Sequence, residues 1–180
     1  MVCLYVFIRL IYTLIVASFR PRIGFFDNAV TTLRVWPNDL DINLHVNNGR
    51  YLTLMDIGRF DLCWRAGLLQ AALKRGWLPV IGTAQITFKK SLKPFQKFDL
   101  HTKMFWWDEK WFYIEQTFYS GGELYARSLV KGVFRSKGRN VPIKVIAEAM
   151  GIDLTFPEPP EVIANWNQFE KSLADSAVKL

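Results

Sequence analysis

Asn38-Asp39-Leu40-Asp41-Ile42-Asn43-Leu44-His45-Val46-Asn47-Asn48-Gly49-Arg50-Tyr51 packs two Asp, four Asn and one of the chain's two His residues into fourteen positions. An apolar stretch at 29–36 reads as a strand and leads into it. A longer apolar stretch at 48–66 reads as a helix and follows it. Taken as a turn, the segment offers Asn47 or Asn48 as the helix cap, accepting first-turn amides that have no intrahelical partner. Asp39 and Asp41 then stabilise the loop by bonding nearby amides, and Asn43 takes a left-handed turn position. His45 fills a gap with one hydrogen bond. Taken as an active site, the same turn aims amides and side chains at a substrate. Both readings hold together, because a turn that caps a helix also presents the helix's free N–H groups.

The flanking pattern is that of one α+β unit. On the predicted helix, Tyr51, Leu54, Met55, Leu62 and Ala66 share one face. Leu52, Ile57, Phe60 and Cys63 make the rest unusually apolar, as expected of a helix buried on most sides. Gly58 in its middle costs about 1 kcal/mol against Ala, which points to a close backbone approach. Asp61/Arg65 and Asp56/Arg59 stand at i,i+4 and i,i+3 and neutralise each other. Strands are predicted at 78–89, 98–107, 111–119 and 124–135, rich in aromatic and β-branched residues with period-two alternation. Asp108-Glu109-Lys110 and Ser120-Gly121-Gly122 join them as hairpin turns. Pro142 opens a short helix over 143–150, closed by Gly151. Pro157, Pro159 and Pro160 make a stiff connector. Val162, Trp166, Phe169 and Leu173 then define an amphipathic terminal helix. The organisation is an apolar helix over 1–22, one α+β domain over 23–151, and a connector with a C-terminal helix over 152–180.

The order Asp-Leu-Asp-x-Asn-x-His-x-Asn-Asn-x-x-Tyr resembles the signature of the hotdog-fold acyl thioesterases, nearest to the 4-hydroxybenzoyl-CoA and plant acyl-carrier-protein groups. Together with its apolar start, the chain resembles superfamily members with an N-terminal hydrophobic segment. The resemblance implies a curved antiparallel sheet wrapped around one long helix. It implies hydrolysis of an acyl-CoA or acyl-carrier thioester without a cofactor or metal, in a homodimer or homotetramer with the site at a subunit interface. It places Asp41 as the catalytic carboxylate, either nucleophile or general base, with Asn43 and His45 positioning water or polarising the carbonyl. The backbone N–H of Asn48 becomes the oxyanion donor, and such a donor is worth about 3 kcal/mol at the transition state. Some hotdog subgroups carry the acid on the central helix, which makes Asp56 the second candidate. Two readings from other classes stay open: a membrane-tethered acyl-lipid-binding protein without turnover, and a hotdog dehydratase.

Composition narrows the field. A 180-residue chain with 51% hydrophobic residues buries about 70% of its unfolded surface, enough for an independent core. Two cysteines, Cys3 and Cys63, lack metal or redox spacing, so a reducing compartment without a disulfide is expected. The net charge of +7 favours acidic partners. Lys89, Lys90, Lys93 and Lys97 cluster where coenzyme A phosphates, an acidic carrier or anionic lipid would meet them; a plainly solvated lysine loop is the competing reading. Trp106, Trp107, Trp111 and Phe112 read as cross-strand packing and His101 as a surface residue, so nucleic acid is not expected. Residues 1–19 carry a single charge, Arg9. Tyr5, Arg9, Tyr12, Thr13 and Val16 would give such a helix one weakly polar stripe. Either it attaches the chain to a membrane with the domain on the cytoplasmic side, or it packs on the protein or its dimer.

Overall fold

The computed structural model describes residues 2–177. Met1 and residues 178–180, at the outer ends of the predicted terminal segments, and the Cys3 side chain lie outside the described residues. In chain order the elements are α1 (Val2–Ser18), β1 (Ala29–Arg34), α2 (Asn48–Arg65), α3 (Leu68–Arg75), β2 (Leu78–Phe88), β3 (Lys97–Trp107), β4 (Phe112–Ser120), β5 (Glu123–Ser136), β6 (Arg139–Val141), α4 (Ile143–Met150) and α5 (Glu161–Ala177). The strands form one antiparallel sheet in the order β1-β3-β4-β5-β2, with β6 added to β5. The sheet curls around α2, the hotdog arrangement that the motif's resemblance implies.

Alternation in the strands decides which side chains reach α2. Phe98 and Leu100 of β3 and Phe118 of β4 meet Tyr51, Leu54, Met55 and Ile57 of the helix in one core. Gly58 lies where helix and sheet touch: a Cβ there would stand 2.6 Å from Thr102 Oγ1 and 2.7 Å from Leu100 Cδ2. The β4–β5 hairpin closes on Gly121 and Gly122, both at positive φ (58° and 80°), which a tight primed turn requires.

Four features depart from the sequence reading. Between Gly67 and Gly76, both at left-handed φ, the structure inserts α3, where the pattern carries the chain directly from helix to strand. The short β6 is likewise new. On α5, Val162, Phe169 and Leu173 of the predicted apolar face are exposed, and the buried contacts come from Ile163 and Trp166. These two pack on Trp106, Tyr113 and Leu129, on the sheet face turned away from α2. The polar stripe of α1 is narrower than expected: Thr13 and Ala17 are buried and Tyr5 and Arg9 turn inward, but Tyr12 and Val16 are exposed. Among the described residues no helix is long and apolar enough to cross a membrane.

Candidate active site

Pro37–Asp39 makes a single 3-10 turn after β1, and Asp39 is completely buried beneath the motif. Its Oδ2 accepts hydrogen bonds from Trp36 N (2.9 Å), Arg9 Nη1 (2.8 Å) and the Tyr5 hydroxyl (3.1 Å). Arg50 Nε stands 3.6 Å from Oδ1. Burial pushes the Tyr5 phenol up to about 12. The Asp39 carbonyl accepts Asn47 N at 2.9 Å. Asp39 therefore braces the loop, as its place in the motif suggests. The two arginines and the tyrosine that hold it carry no local signal in the sequence.

Above this brace the motif folds into a narrow tip. Leu40 and Val46 form a β-bridge, and Asp41 N donates to His45 O at 2.8 Å. Asp41 Oδ1 accepts Asn43 N (2.8 Å) and His45 N (3.3 Å), so Asp41 fixes the turn through one oxygen. Among the described residues its Oδ2, the Asn43 amide and the His45 ring have no hydrogen-bond partner. The expected bond to the His45 ring is thus absent from the described chain. Leu44, not Asn43, takes the left-handed position (φ 57°), a conformation that costs a branched residue energy. Ile42, beside it, is 97% exposed.

The start of α2 completes the site. Asn47 is the cap, its Oδ1 accepting Gly49 N at 2.9 Å. Among the described residues the neighbouring N–H of Asn48 has no acceptor, and it lies at the positive end of an 18-residue helix. The lysine segment abuts this loop, because Val46 N donates to Leu92 O at 3.0 Å. Lys89, Lys90 and Lys93 are exposed. A 2.7 Å ion pair with Glu123 raises the Lys90 ammonium above its ordinary value.

Farther along α2 lies a cavity of about 130 Å³ between the helix, α3 and strands β2 to β5, with Asp56 and Arg59 at its polar end and Phe60, Cys63, Ile114 and Phe134 on its walls. Asp56 is ion-paired with Arg59. Arg59 Nη1 in turn donates to Gln116 Oε1 at 2.6 Å. Gln116 is fully buried, and its Nε2 donates to Met55 O (2.9 Å) and Thr102 Oγ1 (3.0 Å). Gln116 leaves only a faint signal in the sequence, an amide at an inward position of an otherwise apolar alternation. Eight residues of helix, about 12 Å, separate Asn48 from Asp56, so the chain holds the motif and the cavity apart. Burial pushes the Cys63 thiol up to about 12. Cys63 is farther still from His45, and the two do not form a nucleophile pair.

Residues 35–166 match the family model of the thioesterase-like superfamily. Protein THEM6 of Xenopus laevis is 33% identical over 138 residues, covering 77% of this chain and 66% of that protein. A probable thioesterase of Saccharomyces cerevisiae is 30% identical over 120 residues, covering 64% of this chain and 52% of its own length. The chain spans 55–66% of the length of the THEM6 proteins of Xenopus laevis, Danio rerio and Drosophila melanogaster. Among solved structures, the probable thioesterase YbaW of Escherichia coli superposes with a TM-score of 0.63 at 18% identity, over 68% of this chain and 96% of that one. A gentisyl-coenzyme A thioesterase superposes at 0.60 and 22% identity, over 66% and 98%. These two likenesses show the fold.

Proposed function

The chain belongs to the thioesterase-like superfamily, and from that premise we propose that it hydrolyses an acyl-coenzyme A thioester to a free acid and a thiol. The observation that carries the reading is that one motif loop presents both the Asn48 N–H at the head of α2 and the Oδ2 of Asp41, neither with a hydrogen-bond partner among the described residues. Asp41 takes a proton from water. The hydroxide equivalent attacks the carbonyl carbon, and the oxyanion is held by the Asn48 N–H. Collapse breaks the C–S bond, and the proton leaves with the thiol. Asn43 and His45, at the same tip, orient the water. Lys89 and Lys93 beside the loop take the phosphates of coenzyme A, or an acidic carrier, by charge.

The separation of motif and cavity supports assembly as a homodimer. β2 is an edge strand with eleven residues, and Ile81 on it lines the cavity. Pairing two copies along that edge sets the motif of one subunit near the cavity of the other, where Asp56 and Arg59 face the thioester and the acyl group enters the apolar space.

The test is a panel of acyl-CoA and acyl-carrier thioesters with free thiol as the readout. The expected result is turnover of an acyl-CoA, reduced roughly 100-fold by Asp41→Asn without loss of fold, with a smaller effect of Asp56→Asn. Binding of acyl-CoA without cleavage of any thioester would replace this reading with that of an acyl-lipid-binding protein.

A further inference from the structure

The outward face of α1 is the largest feature that the proposed chemistry leaves unused. Leu4, Phe7, Ile8, Ile11, Ile15 and Phe19 lie on or just after the helix and are 54–88% exposed. Folded soluble domains seldom leave so continuous an apolar surface in water. The opposite face is committed to the domain: Thr13 and Ala17 are buried and Arg9 is bound to Asp39 at 2.8 Å. Drawing α1 across a bilayer would strip buried Asp39 of its Arg9 cation.

The surroundings of this face identify its occupant. Ile8 and Tyr12 share a groove with Trp36, Arg34 and Lys97. Arg34 and Lys97 are direct cross-strand partners on β1 and β3. Asp99, two residues along β3 from Lys97, accepts the Thr32 hydroxyl at 2.6 Å, and Asp39 is held by Arg9. Trp36 and Phe95 are both about half exposed and meet edge to face at 6.5 Å. An apolar helix face, an aromatic pair and two cations at the rim are what the boundary between lipid tails and anionic headgroups accommodates.

We infer that α1 lies in the plane of an anionic phospholipid surface, its outward face among the acyl chains and Arg34 and Lys97 at the headgroup phosphates. The domain then stays on one side of the membrane, and the net charge of +7 adds long-range attraction.

Sedimentation of the full chain with vesicles tests this. Equal-part phosphatidylcholine and phosphatidylglycerol vesicles should bind it, and pure phosphatidylcholine vesicles much less. The triple variant Phe7→Ser, Ile11→Ser, Ile15→Ser changes only outward side chains and should lose binding while keeping its circular dichroism. Arg34→Ala with Lys97→Ala should weaken binding to anionic vesicles roughly tenfold or more and leave the neutral ones unchanged. Alkaline carbonate should release the bound protein. Resistance to carbonate would overturn the in-plane orientation in favour of a span. A chain that ignores both vesicles, while the serine variant dissociates an oligomer in sedimentation velocity, would assign the face to a second copy instead.

Discussion

Arg9 Nη1 lies 2.8 Å from Asp39 Oδ2, joining the middle of the N-terminal helix to the floor of the motif loop. The carboxylate has no solvent exposure. Arg9→Ala is expected to destabilise the protein by about 3–5 kcal/mol, the cost of leaving a buried charge without its main partner, with Arg50 recovering part of it. Denaturant unfolding measures this. Arg9→Lys should recover some of the loss, and removal of residues 1–19 should cost at least as much as Arg9→Ala.

Gly58→Ala should also destabilise, by about 1–3 kcal/mol. In an open helix the same change stabilises by about 1 kcal/mol. Here the new methyl meets Leu100 and Thr102 at under 3 Å. A gain in melting temperature would show that helix and sheet have room to separate.

Cys63 should be inert in the native protein and make high pH destabilising. In the unfolded chain a thiol ionises near ~8.5. In the folded chain burial holds the proton until about 12. The unfolded state therefore releases the proton first. The contribution is constant below about 8.5 and is lost as pH rises from there toward 12. In a Cys3→Ser background a disulfide reagent should label the native chain far more slowly than the denatured one, because the half-buried Cys63 thiol stays protonated. Cys63→Ala should flatten the fall in stability between pH 8.5 and 10, once the cavity cost is subtracted at pH 7.

Lys131 secures the C-terminal helix. It is buried, donates to Glu170 (2.6 Å) and Asn167 (2.8 Å), and lies over the Trp111 ring at 4.7 Å. Lys131→Met should cost about 3 kcal/mol, toward the low end for a buried pair because Glu170 retains some solvent. Amide exchange should quicken first in α5. Uniform quickening across the sheet would mean that the helix and sheet open as one unit.

Periodicity made the central architecture legible before the structure. Buried strands alternate, so β3, β4 and β5 fall within one or two residues of their predicted positions, and α2 ends one residue early. α3 was hidden because Gly67 ends one helix and begins the next with no spacer. Of the predicted apolar face of α5 only Trp166 is buried, because an amphipathic helix on a sheet meets it through a narrow strip, here Ile163 and Trp166. At the site, local order revealed Asp39 as a brace and Asn47 as a candidate cap. Arg9 and Gln116 act across 30 and 57 residues of chain, and pairing at that range leaves no periodic trace.

β2 carries one more consequence. From Leu78 to Phe88 it contains no charged residue, and its outer edge offers unpaired backbone groups to any strand that arrives. Native edges of this length are ordinarily guarded by lysine, proline or a bulge; here Pro79 and the irregularity at Ile81–Thr83 are the guards present. Under the homodimer proposed above, a newly made chain enters a race between meeting its own kind and stacking into aggregates. Dilution, slow synthesis or a surplus of a pairing-defective variant would each tilt that race, with no change to the folded domain itself.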